Sequence, residues 1–367
     1  MALHTYISEG VDTAIIECGI GGEYDSTNIL TETTVTGITS LGIDHTAVLG
    51  STIEEIAWHK AGIMKSSAAA YTVLQPEPAM KVLCDRAKEK GVNLCVVERH
   101  PQIENIKLGL AADFQKTNAS LAVHIAAAHL RSLGQDDIAT DPFPAEFVRG
   151  LEEVRWGGRC ETRHEGDLTW YLDGGHTVES ITVAGEWFAS CCLPPSPSPS
   201  PSPSPSPSSS ISSSSPSTTS PSISPRILLF NQQTRTSAST ILQTLHTLLS
   251  SALQTPHPFT HAVFCSNVTF ASGGYRPDLV SINTSGNAVK GLEVQRGLAR
   301  GWEDVDKAGS EVIVLPTIEE AVQRCREIFR NAGGEGKVLV TGSVHLVGGV
   351  LEVLETEGDT DNRMKQG

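Results

Sequence analysis

From Val35 to Thr341 the chain repeats one pattern, a short apolar and β-branched run followed by apolar residues at helical spacing. Strands separated by helices are joined by crossovers rather than hairpins, so this alternation calls for a mostly parallel sheet flanked by helices. In the first part, Asp12–Cys18, Val35–Ser40, Ala70–Leu74 and Asn93–Glu98 read as strands, and Glu77–Lys90 and Phe114–Leu133 as helices. In the second, Thr169–Asp173, Arg226–Asn231, His261–Ser266, Glu311–Leu315 and Lys337–Thr341 read as strands. Helical patterns follow at Val178–Ser190, Ala238–Ser251 and Ile318–Asn331. The break near Arg155 predicts an α/β chain of two domains, 1–155 and 156–367, the first of them a partial parallel-sheet domain.

Pro194–Pro225 obeys neither period: it is a Pro-Ser repeat decaying into serine and threonine. Such a segment cannot bury a core and is expected to be disordered, reaching ~100 Å if wholly polyproline II at ~3.1 Å per residue. Closure entropy grows slowly with loop length, so a tolerated surface insertion is one reading. A phosphorylatable Ser-Pro tether is the other.

The net charge of −15 leaves no basic stripe for a nucleic-acid surface, which excludes that class of partner. None of the eight cysteines forms a C-x-x-C, and most lie in apolar runs, as reduced core thiols do. The sequence shows neither a transmembrane-length apolar run nor a signal peptide.

Chemistry concentrates first in Thr39–Lys65, TSLGIDHTAVLGSTIEEIAWHKAGIMK. Ser51 and Glu54 read as a capping box, after which Ile53, Ile56, Ala57, Lys60, Ile63 and Met64 share one helical stripe. Lys60 on that stripe either snorkels along apolar surface or serves a site. Glu17, in an apolar run, is costly to bury unless it meets a cation. Glu17, His45 and Lys60 are therefore expected to share one metal-dependent cluster.

Seven words run in order from the first residues to about Gly349: ECGIGGEYDSTN, TSLGIDHTAVLGSTIEEIAWHKAGIMK, DFQKTNAS, WGGRCE, LDGGHTVES, LLFNQQTR and VTGSVHLVGG. Together they resemble the folylpolyglutamate synthases of the Mur ligase family, in their eukaryotic, fungal form. The resemblance implies a truncated Mur-ligase central parallel-sheet domain followed by a Rossmann-like C-terminal α/β domain. It also implies an ATP-dependent ligase that adds L-glutamate to the γ-carboxylate of a reduced folate through an acyl phosphate. Mg2+, ATP as co-substrate, a monovalent cation, a monomeric chain, and residence in the cytoplasm or mitochondrion come with it.

Carried over by position, Glu17 and His45 match magnesium ligands, and Lys60 a lysine that is carbamylated in some relatives. Carbamylation would make that lysine an anion able to hold a second metal. Asn118 matches a residue near the adenine, and Arg159 and Asp173 match ATP-contacting residues. Lys60, Asp173 and His176 are the catalytic candidates, with Ser343 and His345 as further cleft residues. On the residues alone, Asp173-Gly174-Gly175-His176 is equally a simple turn, and Asn118 a local backbone hydrogen-bonder. Gly175 and Thr177 stand where many relatives carry alanine and asparagine.

Family members open with a glycine-rich phosphate loop ending in Gly-Lys-Ser. No G-x-x-x-x-G-K-[ST] occurs here; the one Gly-Lys pair, Gly336-Lys337, enters a strand. The expectation is that this polypeptide does not turn over by itself and that the missing front segment would restore it. The alternative is a catalytically inactive nucleotide- or folate-binding module.

Overall fold

The computed structural model of the chain describes residues 1–135, 138–139, 141–193, 224–232, 238–271 and 292–364. Contacts group them into two compact units, Met1–Val154 and Arg155–Gly367.

The first unit begins with α1 (Ala2–Ser8), none of whose residues is buried. Then follow β1 (Val35–Ile38), the single turn α2 (Thr46–Leu49), α3 (Ile53–Lys60), β2 (Ala69–Val73), α4 (Glu77–Glu89) and β3 (Leu94–Val97). α5 (Gln115–Ser132) and α6 (Ala145–Glu153) complete it. The sheet is parallel in the order β1-β2-β3. Side chains alternate across it. Ile38 and Ala70 pack with Ala57, Ala61, Met64, Ala79 and Leu83 from the α3–α4 side. Val73 and Val97 meet Leu121 and Ile125 of α5 on the other. Gly37 admits α5, because a Cβ there would lie 2.3 Å from Ile125 Cδ1.

Asp12–Cys18 is not a strand. An alternating run becomes one only where a neighbour accepts its ladder bonds, and among the described residues β1 pairs with β2 alone. Ile15 is left 91% exposed. The capping box also sits one residue later than its sequence signal. Thr52 Oγ1 accepts from Glu55 N at 3.3 Å, and the Glu55 carboxylate accepts from Thr52 N at 3.1 Å and Ser51 N at 2.8 Å. Glu55 rather than Glu54 can reach both amides, and these bonds hold its carboxyl below the usual range. The Gly19–Glu23 loop is seated on the end of α3 by the Glu23 N to His59 O bond at 2.7 Å. A Cβ on Gly62 would fall 2.3 Å from Glu23 Cα, so only glycine permits this approach.

The second unit holds β4 (Glu161–Glu165), β5 (Leu168–Leu172), α7 (Val178–Cys192), β6 (Arg226–Phe230), α8 (Ala238–Ala252) and β7 (His261–Cys265). α9 (Glu293–Asp306), β8 (Glu311–Leu315), α10 (Ile318–Ala332), β9 (Gly336–Thr341) and α11 (Val344–Met364) follow. The sheet order is β4-β5-β9-β6-β7-β8, with β4 antiparallel to β5 and the other pairings parallel. One face buries Trp170, Ile227, Leu229, Val263, Val338 and Val340 against α10 and α11. On the other, an aromatic chain runs from Tyr171 through Phe188 and Phe259 to Trp302, with successive centroids 5.2–5.9 Å apart.

The proposed insert lies outside the described residues up to position 223, and its C-terminal bound moves. Pro225 is buried and its carbonyl accepts from Lys337 N at 3.0 Å, so it already belongs to the sheet. Among the described residues no helix is long and apolar enough to cross a membrane.

Candidate active site

In an open α/β sheet, ligands gather beyond the carboxyl ends of the parallel strands. In the second unit that edge is built by a hairpin invisible to the strand–helix rhythm. β4 runs antiparallel to β5 with Glu161 opposite Leu172, so its amino end lies at the carboxyl end of β5. The WGGRC and LDGGHT words thereby meet, with Cys160 beside Asp173. Asp173 is buried, and its carboxylate is occupied by the protein: Oδ2 accepts from Cys160 N at 2.9 Å and Cys160 Sγ at 3.3 Å, Oδ1 from Gly175 N at 2.8 Å. Gly174 N donates to Gly158 O at 3.0 Å and Gly342 N to Gly175 O at 2.9 Å, stitching in the β9–α11 turn. Arg159, at the apex of this corner, presents an exposed side chain.

His176 is exposed beyond the turn, with Nδ1 at 2.9 Å from Gly174 O. A carbonyl only accepts, so Nδ1 carries a proton. Gln232 Nε2 donates to His176 O at 3.0 Å. Ser343 is the N-cap of α11, its Oγ accepting from Leu346 N at 3.4 Å, and His345 is exposed on that helix's first turn.

Residues the sequence reading did not single out complete the edge. Asn231 is fully buried, donating to Asn267 Oδ1 at 2.7 Å and accepting from Gln295 Nε2 at 3.1 Å. The signal for Asn231 was present: an amide directly after the apolar run RILLF, where the strand ends.

Among the described residues, no hydrogen bond or ion pair joins the candidates of the first unit to one another. Glu17 is exposed on the unpaired run. His45 adopts φ 52°, with its ring 3.7 Å from the Asp44 carboxylate. Lys60 is half-buried in the last turn of α3, on the stripe with Ile56 and Ala57. No three His, Cys, Asp or Glu side chains among the described residues converge on a metal-sized site. These residues do not fit a preformed magnesium centre. A cavity of about 420 Å³ in the first unit, lined by Leu49, Glu54, Trp58 and His59 among others, includes none of the three. Asn118 sits half-buried in the first turn of α5, donating to Gln115 Oε1 at 2.9 Å rather than to backbone.

The chain is 42% identical over 358 residues to the folylpolyglutamate synthase of Neurospora crassa, a match covering 97% of this chain and 63% of the relative. A Saccharomyces cerevisiae folylpolyglutamate synthase is 38% identical over 361 residues, covering 97% of this chain and 60% of that one. Along nearly its whole length the chain is similar to folylpolyglutamate synthases. It spans less than two thirds of the length of these curated relatives. A Mycobacterium tuberculosis folylpolyglutamate synthase complexed with ADP and AMPPCP superimposes with TM-score 0.65 at 19% identity, covering 96% of this chain and 70% of that one. Escherichia coli FolC in complex with DHPP and ADP gives TM-score 0.58 at 20% identity, covering 93% and 66%. Both show the shared fold. No family model matches the chain.

Proposed function

We propose that this chain belongs to an ATP-dependent ligase that joins L-glutamate to the γ-carboxylate of a reduced folate. The observation that carries this is the second unit's carboxyl edge, where the WGGRC and LDGGHT words meet through Cys160 and Asp173, in a chain matched along 97% of its length to relatives of that name. A carboxylate is a poor acyl donor. One of its oxygens therefore attacks the terminal phosphorus of ATP, the bond to ADP breaks, and an acyl phosphate forms. The glutamate amine then attacks the acyl carbon, a C–N bond forms, and phosphate leaves with its oxygen.

Such steps depend on charge neutralisation and on holding the partners in line. Arg159, exposed at this corner, is the cation assigned to the nucleotide phosphates. Asp173 acts by fixing the corner that carries Arg159, since both its oxygens are occupied. His176, with its Nδ1 proton held by Gly174, offers an oriented imidazole beside the amine. Magnesium, which accompanies ATP in such reactions, would supply further charge neutralisation; Glu17 and His45 form no site for it here, and no step is assigned to them.

The test is ATP-dependent incorporation of labelled glutamate into tetrahydrofolate by the purified chain, alone and supplied with a segment carrying the Gly-Lys-Ser phosphate loop. Turnover that falls at least tenfold in Arg159→Gln supports the assignment. ATP binding without turnover in either form would instead favour a nucleotide-binding module.

A further inference from the structure

Cys160 occupies a conformation that its residue type disfavours. Its φ is 44°, in the left-handed region, which costs a non-glycine residue about 1–2 kcal/mol. A glycine would adopt this conformation at no such cost, as Gly158 does two residues earlier at φ 71°. What the cysteine adds is a side chain. It is buried, and both its backbone N–H and its thiol donate to one oxygen, Asp173 Oδ2.

Burial and the adjacent carboxylate push the thiol far above the ordinary range for cysteine, so it stays an S–H donor at physiological pH. The corner is pinned from its other end as well. Gly158 N donates to Glu161 Oε2 at 2.8 Å, and a Cβ on Gly158 would lie 2.6 Å from Val347 Cγ1. Between these two anchors sits Arg159, with the amides on either side bonded to carboxylates and its own side chain exposed.

We propose that Cys160 is a positioning residue for nucleotide binding: thiol and left-handed backbone, both fastened to Asp173, set the direction in which Arg159 meets the phosphates. This rests on the assignment of Arg159 to ATP made above. It places the selective value of Cys160 in its donor hydrogen rather than in nucleophilic or redox chemistry.

The experiment measures ATP dissociation constants by calorimetry, in magnesium-containing buffer, together with melting temperatures. It compares the full chain with Arg159→Gln, Cys160→Ala, Cys160→Ser and Cys160→Gly. The expected result is a loss of about tenfold in affinity for Arg159→Gln and three- to tenfold for Cys160→Ala. Cys160→Ser, which keeps a donor, should return to within twofold of wild type, a rescue that a purely structural role would not produce. Cys160→Gly relieves the backbone cost and guards against a misfolded alanine variant; it should melt no lower than wild type yet bind ATP more weakly. If Arg159→Gln weakens binding while folded Cys160→Ala and Cys160→Gly bind as wild type, the positioning role is overturned and the assignment of Arg159 stands. If Arg159→Gln binds as wild type, or wild type binds no ATP, that assignment fails and this proposal with it.

Discussion

The two units are written in the same grammar, parallel strand then helix, and differ in how well each sheet is enclosed. In the second unit, Trp170, Leu229, Val263 and Val340 lie under α10 and α11 with no measurable exposure. In the first, three strands are packed, while Ile7, Ile15, Tyr24, Ile29 and Val48 stay largely in solvent. Apolar residues alone therefore do not make a core. A strand run contributes burial only when a neighbour satisfies its backbone, as the contrast between Asp12–Cys18 and β5 shows.

The comparison sharpens most at Trp170. Its ring is buried and its Nε1 donates to Glu165 Oε2 at 3.1 Å, so Trp170→Ala should cost the second unit about 3–5 kcal/mol in urea unfolding. Hydrogen exchange should show the loss in β5, β9 and β6 and little change in β1–β3. Equal acceleration in both units would break the contrast. At Gly62 the first unit has its own tight spot. Gly62→Ala forces the Glu23 backbone away and should cost about 1–3 kcal/mol, read as faster exchange at the Glu23 amide.

A smaller effect belongs to Asp25, which caps the turn Ser26–Ile29. Its carboxyl is held below the ordinary range, first by the Thr27 hydroxyl and then by the Ile20 and Thr27 amides. A depressed carboxyl stabilises the fold above its unfolded pKa of about 4. That contribution disappears as pH falls through the lower folded value. Asparagine caps about as well as aspartate, so Asp25→Asn should change stability at neutral pH only slightly. Its melting temperature should also fall less steeply than wild type below pH 4, by circular dichroism. Least of all, Ile15→Ser should shift unfolding by no more than about 0.5 kcal/mol, because little apolar area leaves the interior. A drop of several kcal/mol there would show that the unpaired run is packed after all.

What the sequence revealed follows the same physics. β5–β9 were legible because a buried parallel strand is a continuous apolar run. β4 was not: ETRHE is polar, as suits an edge strand with four exposed residues. α9 was hidden by Gly297 and Gly301. α11 was hidden by Gly348 and Gly349, the latter facing Ile318 where a Cβ would lie 2.3 Å from its Cδ1. The site was half readable. Arg159, Asp173 and His176 stood out from their words, but the joining of those words through Cys160 and Asp173 depends on β4. The strained cysteine between them gives no sequence signal, since glycine is the residue a left-handed position advertises.

The place of β9 also sets a timetable for the ribosome. β5 and β6 share no ladder; β9, made last, is the strip that joins them. About 100 residues separate β6 from β9, so at roughly 5–20 residues per second the two halves wait on the order of 5–20 s after β6 is made. During that interval the apolar edges of both are open, and the nascent chain has reason to meet a chaperone before it meets its own last strand.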